Sequence, residues 1–174
     1  MRSRFVMMPL ATLAIVAPAQ GAVYLSMAQA QQLMFPGATL TSEFRELTRE
    51  QISAIEKTSG VDVRNRNFQI WRVSTGGWFI ADEVVGKHDF IPFALGLDES
   101  GGVKSVEILE YRESYGDQIR NPAWRSQFTG KHHGAKLTLT KDIQNISGAT
   151  LSSRHLTDGI KRLLATYAIA IAPD

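Results

Sequence analysis

The sequence predicts an α+β fold: an antiparallel sheet of about five strands, with N-terminal helices and a C-terminal helix packed on the sheet. Three observations predict it. Period-two hydrophobic patterning runs from residue 68 to 111, broken only by short turn signals. Two helix starts with capping residues precede that stretch. One long pattern of period 3.6 closes the chain. Helices kept outside a run of consecutive strands distinguish this class from alternating βα architectures.

The 174 residues suit a single domain, and 44% hydrophobic content can fill its core. Cysteine is absent, which excludes disulfides, thiolate zinc sites, iron–sulfur clusters and CxxCH haem attachment. The net charge is 19 − 17 = +2, and Arg2 and Arg4 supply the surplus. Without them the balance is 17 − 17 = 0, so a nucleic-acid-binding surface is not indicated.

Residues 1–22 read as a secretory signal peptide. Arg2 and Arg4 precede an apolar run from Phe5 to Ala17, and Ala17-Pro18-Ala19 offers small residues for cleavage after Ala19, with Ala22 as a second position. The run is shorter than the roughly 20 residues of a membrane span, which leaves an uncleaved anchor as the alternative. Residues 23–174 then form one exported domain, periplasmic or on the outer face of the cytoplasmic membrane.

Ser26 caps a short helix through Met34, stopped near Pro36-Gly37. Thr48 and Gln51 form a capping box for a helix that Gly60 ends. Phe68–Val73 alternates as a strand, Gly76-Gly77 turns the chain, and Trp78–Val85 is the next strand. Phe90–Leu97 and Val103–Tyr111 complete a four-stranded meander. In the last strand Val103, Ser105, Glu107 and Leu109 share one side. Asn121–Phe128 reads as a short helix with Pro122 at its first position. Leu137–Thr140 reads as a fifth strand near 137–141. A helix over 151–169 sets Leu156, Ile160, Leu163, Leu164, Tyr167 and Ile171 on one face, with Arg154, Asp158, Lys161 and Arg162 elsewhere. Gly159 costs that helix about 1 kcal/mol relative to Ala.

Before that helix lies Ser147-Gly148-Ala149-Thr150-Leu151-Ser152-Ser153. Gly148 permits positive φ, and Ala149 adds little bulk. Thr150 presents a hydroxyl where free N–H groups and the helix dipole favour an anion. The plain alternative is that Thr150 is only an N-cap, worth about 1 kcal/mol.

The run 147–153 resembles the SGAT-x-[TS] signature of the FMN-binding domain family, which includes the C and G subunits of the sodium-pumping NADH:quinone oxidoreductase and of the Rnf complex. Three other segments resemble the family in the same order: Gly86–Ile91 (GKHDFI), Glu107–Gly116 (EILEYRESYG) and Trp124–Lys131 (WRSQFTGK). The likeness spans about 78–165. Two positions depart from it: Gln144 stands where the family has Asp before SGAT, with Asp142 two residues earlier, and the Glu-Thr-Pro-Gly-Leu-Gly turn is shortened around Glu113 and Gly116.

The resemblance implies FMN joined by a phosphoester to Thr150, installed outside the cytoplasm by a separate flavin transferase that uses FAD as donor. It implies an electron carrier serving a membrane-bound oxidoreductase, as electron donor or acceptor, rather than a complete enzyme. Around Thr150, the residues Ser147, Gly148, Ala149, Leu151 and Ser152 form the expected approach, with Tyr111, Glu113 and Trp124 bounding the flavin site. The alternative is a non-redox exported binding module of the same fold in which Thr150 is only a helix cap. Other chemistries find less support. His132-His133 lacks a carboxylate at ligand spacing, so no metal site is expected. Ser152 or Ser153 beside His155 has no GxSxG context. No GxGxxG or P-loop spacing occurs. Arg112 and Glu113 read as a surface ion pair or as the edge of the flavin pocket. Trp71, Trp78, Phe90 and Phe93 read as core.

Overall fold

A computed structural model describes residues 22–113 and 116–172. The signal-peptide segment therefore lies outside the described residues, apart from Ala22, as do Ser114 and Tyr115.

The elements begin with β1 (Ala22–Val23), α1 (Met27–Met34), β2 (Leu40–Glu46) and α2 (Arg49–Ser59). Ser26 and Gln29 build a capping box for α1, and Thr48 and Gln51 build one for α2. Gly60 closes α2 in the left-handed conformation, which costs glycine no Cβ clash. Then follow β3 (Asn67–Val73), β4 (Trp78–Val85), β5 (Phe90–Leu97), β6 (Val103–Ile108) and β7 (Glu110–Tyr111). Beyond them come α3 (Pro122–Arg125), capped by Asn121, and α4 (Thr150–Thr166), which widens into a π turn over Tyr167–Ile171.

Strands β2 to β6 form one antiparallel sheet in sequential order, and β1 pairs with β7. Alternation along each strand divides the core in two. Ile70, Trp78, Ile80, Val84, Ile91, Phe93 and Leu95 face α4, where they meet Leu156, Ile160, Leu163 and Leu164. Val73, Phe79 and Ala94 face the other way, against Ala30, Met34 and Phe35 of α1 and its end. A third small cluster joins Leu47 and Ile55 to Ala165, so α2 packs beside α4. Gly159 lets α4 approach the sheet closely: a Cβ there would stand 2.6 Å from Val84 Cγ1.

Several details differ from the sequence reading. The fifth strand is β2, not 137–141. Leu137 and Thr140 adopt positive φ, and this segment closes on itself through Thr140 N to Ile143 O and Asp142 N to Thr138 O, making only a single bridge between Leu139 and Ile143. Val103 changes sides. A bulge at Gly96/Leu97 sets Val103 opposite Leu97 and turns it toward α4 with Val106 and Ile108, while Leu109 faces α1. Phe90 is exposed. Arg162 is buried on α4, where it pairs with Asp82 at 2.5 Å and donates to the Asp62 carbonyl.

Candidate functional site

The approach to α4 is built from its supports upward. Trp124 donates its indole N–H to the Gln144 carbonyl at 2.7 Å, and Gln127 Oε1 accepts from the Gln144 N–H at 2.8 Å. Trp124 and Phe128 pack edge to face beneath. The Trp-x-x-Gln-Phe spacing thus holds one backbone unit from both sides, and the loop to α4 starts from that fixed point. Ile143 is fully buried next to it. Beyond Gln144 the chain turns through Ala149 N to Ile146 O, with Gly148 at φ +81°, a conformation other residues adopt only with strain.

Ala149 is the N-cap of α4 and Thr150 its first helical residue. The reading of Thr150 as a cap is corrected: no side chain caps this helix. The N–H groups of Thr150, Leu151 and Ser152 are those a helix leaves without an internal partner, and the first such bond is Ser153 N to Ala149 O. Thr150 is exposed, and its Oγ1 accepts from Asn145 Nδ2 at 3.1 Å. Ser147, Gly148 and Leu151 are exposed too.

Ser152 is buried, and its hydroxyl shares a hydrogen bond with the Tyr111 hydroxyl at 3.1 Å. Burial pushes the Tyr111 phenol above its ordinary pKa. Gly116 closes this contact from the far side: a Cβ there would stand 2.5 Å from Ala149 Cβ and 2.6 Å from the Tyr111 oxygen. Small residues at 116 and 149 are therefore a packing requirement.

A cavity of about 190 Å³ opens between the α4 start and the β4–β5 turn, lined by Lys87, His88, Glu113, Ala149, Leu151 and Ser152 among others. Glu113 Oε1 accepts from the backbone N–H of His88 at 2.7 Å and of Asp89 at 3.2 Å. Burial alone would raise its pKa. The Lys87, His88 and Asp89 N–H groups outweigh that and hold the carboxyl below its usual range. Glu113 therefore does not pair with Arg112, whose partner is Glu110. A larger cavity, about 400 Å³, lies where β3 and β4 diverge and shares no lining residue with this one. The smaller cavity is the candidate because it adjoins the exposed hydroxyl and the free helix N–H groups.

The sequence profile of the FMN-binding domain matches residues 86–165. This segment belongs to the FMN-binding domain family. The matched residues take in all four stretches that resemble the family, from Gly86 to the α4 start. Among solved structures, NqrC of Shewanella oneidensis is similar in fold, with a TM-score of 0.51, 15% identity and 86% of each chain covered. A search of curated proteins finds no match.

The residues present fit the phosphate of FMN. The α4 start offers an exposed hydroxyl and free N–H groups for a phosphate, and Lys87 brings a cation to the same cavity. Within the FMN-binding domain, Gly148, Ala149, Leu151 and Ser152 line the cavity with Glu113; Tyr111 joins them through its bond to Ser152, and Ser147 does not line the cavity but sits in the adjoining turn. Trp124 does not line the cavity; it supports the loop from below. Lys87, His88 and Asn145 were not singled out as site residues from sequence. Lys87 and His88 lie in the quoted GKHDFI segment, but only the fold brings them opposite α4. His155 is not placed for hydrolytic chemistry: its Nδ1 bonds the Val85 carbonyl, and Ser153 donates to the Ala149 carbonyl. Among the described residues, no three His, Asp or Glu side chains group to hold a metal ion, and no helix is long and apolar enough to cross a membrane.

Proposed function

We propose that this FMN-binding domain is an exported flavoprotein that carries FMN on Thr150 through a phosphoester bond and works as an electron-transfer module. The observation that carries the reading is Thr150 itself: an exposed, uncapped hydroxyl at the first helical position, inside the family segment. A separate extracytoplasmic flavin transferase supplies the FMN from FAD. The Thr150 oxygen forms a bond to the FMN phosphorus, the pyrophosphate bond breaks, AMP leaves, and the hydroxyl proton passes to the transferase's base. FMN, once bound, supplies one- and two-electron transfer.

The chain's own residues do the holding. The first-turn N–H groups of α4 would hold the phosphodiester. Lys87 adds positive charge on the facing turn, which Glu113 keeps in place through the backbone. Ser152 lines the cavity, and its hydroxyl is tied to that of Tyr111. Export is supported by Arg2, Arg4 and the apolar run that follows them. The electron partner is a membrane-bound oxidoreductase, acting as donor or acceptor.

Acid precipitation of the purified protein, after co-expression with a flavin transferase, tests the reading. Flavin absorbance that stays with the pellet is expected. A colourless pellet with free flavin in the supernatant would overturn the covalent link.

A further inference from the structure

Four hydroxyls cluster at the start of α4, and the fold treats them differently. Ser153 is fully buried and donates to the Ala149 carbonyl at 2.9 Å. Ser152 is buried against the Tyr111 hydroxyl. Ser147 is exposed and lies inside the turn that leads into the helix, closed by Ala149 N to Ile146 O, with no side-chain donor on its hydroxyl. Thr150 alone of the four is both exposed and held by a side-chain donor, Asn145 Nδ2. We infer that Asn145 is a positioning residue for the modification of Thr150: its amide fixes the hydroxyl oxygen as an acceptor, so that the oxygen's own proton and a remaining lone pair face outward. The inference rests on Thr150 being the FMN attachment point.

The direction of that bond matters. An attacking hydroxyl must give its proton to a base while a lone pair reaches phosphorus. A side chain that accepted the proton would hold it inside the protein. An amide N–H bonded to the oxygen leaves the proton for the transferase's base, and, being neutral, does not repel the incoming pyrophosphate. The balance is unchanged: the Oγ1–P bond forms, the P–O bond to AMP breaks, and the proton leaves with the transferase. Asn145 is itself well placed to do this. The residue before it is pinned at both its N–H and its carbonyl by Gln127 and Trp124, and the turn after it is closed by Ala149 N to Ile146 O. The geometry is thus set before the transferase arrives, which is where orientation gains its rate.

The test uses the full mature chain with purified flavin transferase and FAD, and follows the adduct by intact mass at several chain concentrations. Asn145→Leu removes the donor at similar size. Asn145→Asp replaces it with an acceptor. Both are expected to lower the maximal labelling rate about tenfold, as lost orientation would, with the half-saturating concentration and the melting temperature unchanged. A wild-type maximal rate in either variant overturns the inference, and so does a defect confined to half-saturation. Thr150→Ala is run alongside. If it keeps the adduct, the attachment reading fails. If it loses the adduct while Asn145→Leu labels normally, only the role of Asn145 fails.

Discussion

Thr150 stands one residue inside α4 and makes no capping bond, so its removal should cost little. A cap would be worth about 1 kcal/mol. An exposed first-turn residue is worth within about 0.5 kcal/mol. Urea denaturation of Thr150→Ala without flavin should therefore match the parent chain to that margin. Glu113 has a pH signature. Its folded pKa lies below the unfolded value of about 4.3, so its stabilisation is fully present above that value and is lost as pH falls through the folded one. Protection of the His88 and Asp89 amides, taken relative to the intrinsic exchange rate at each pH, should fall in that acid window, and Glu113→Gln should remove the pH dependence. Protection that stays flat into acid would contradict the assignment. At this scale much of the site was legible: Ser147–Ser153 marks the hydroxyl, and Glu113 lies in a quoted segment. The partners were not legible. From sequence Glu113 reads as the mate of Arg112 or as the edge of the flavin pocket; the backbone of a turn 25 residues away claims it and sets it in the cavity wall.

The α4 helix shows how packing reverses a propensity argument. Propensity favours Gly159→Ala by about 1 kcal/mol. The contact of 2.6 Å to Val84 opposes it, and overpacking costs about 1–3 kcal/mol. A net loss of stability is expected on thermal denaturation; a gain would mean that α4 can lift off the sheet freely. For α3, Trp124→Phe keeps an aromatic ring but gives up buried volume and the indole bond to the Gln144 carbonyl. Roughly 1 kcal/mol or more of stability should go, with slower labelling of Thr150. Helices α1 and α2 and the meander were readable because capping boxes and alternation are local signals. Strand β2 was not, because it is an edge strand whose pattern is mostly charged and hydroxylated. Glu43 binds Arg45 and Arg72 there, and Phe44 is exposed. The 137–141 segment misled for the converse reason: Leu-Thr-Leu-Thr alternates, yet Leu137 is buried through a turn at positive φ.

The whole molecule joins two stretches of sequence that the family match separates. Residues 86–165 carry the FMN-binding domain match, but α4 packs on Ile70, Ile80 and Val84, which precede it. A fragment beginning at Gly86 would leave that face of α4 exposed. Such a fragment should lack cooperative unfolding by circular dichroism, whereas residues 22–174 should retain it; an independently folded fragment would contradict this account of the core. The central claim is the place of attachment. Peptide mass spectrometry of the chain co-expressed with a flavin transferase tests it most directly. FMN should map to Thr150 and vanish in both Thr150→Ala and Thr150→Val, which separates hydroxyl chemistry from shape. An adduct on Ser147, Ser152 or Ser153, or one that persists without the Thr150 hydroxyl, would contradict it.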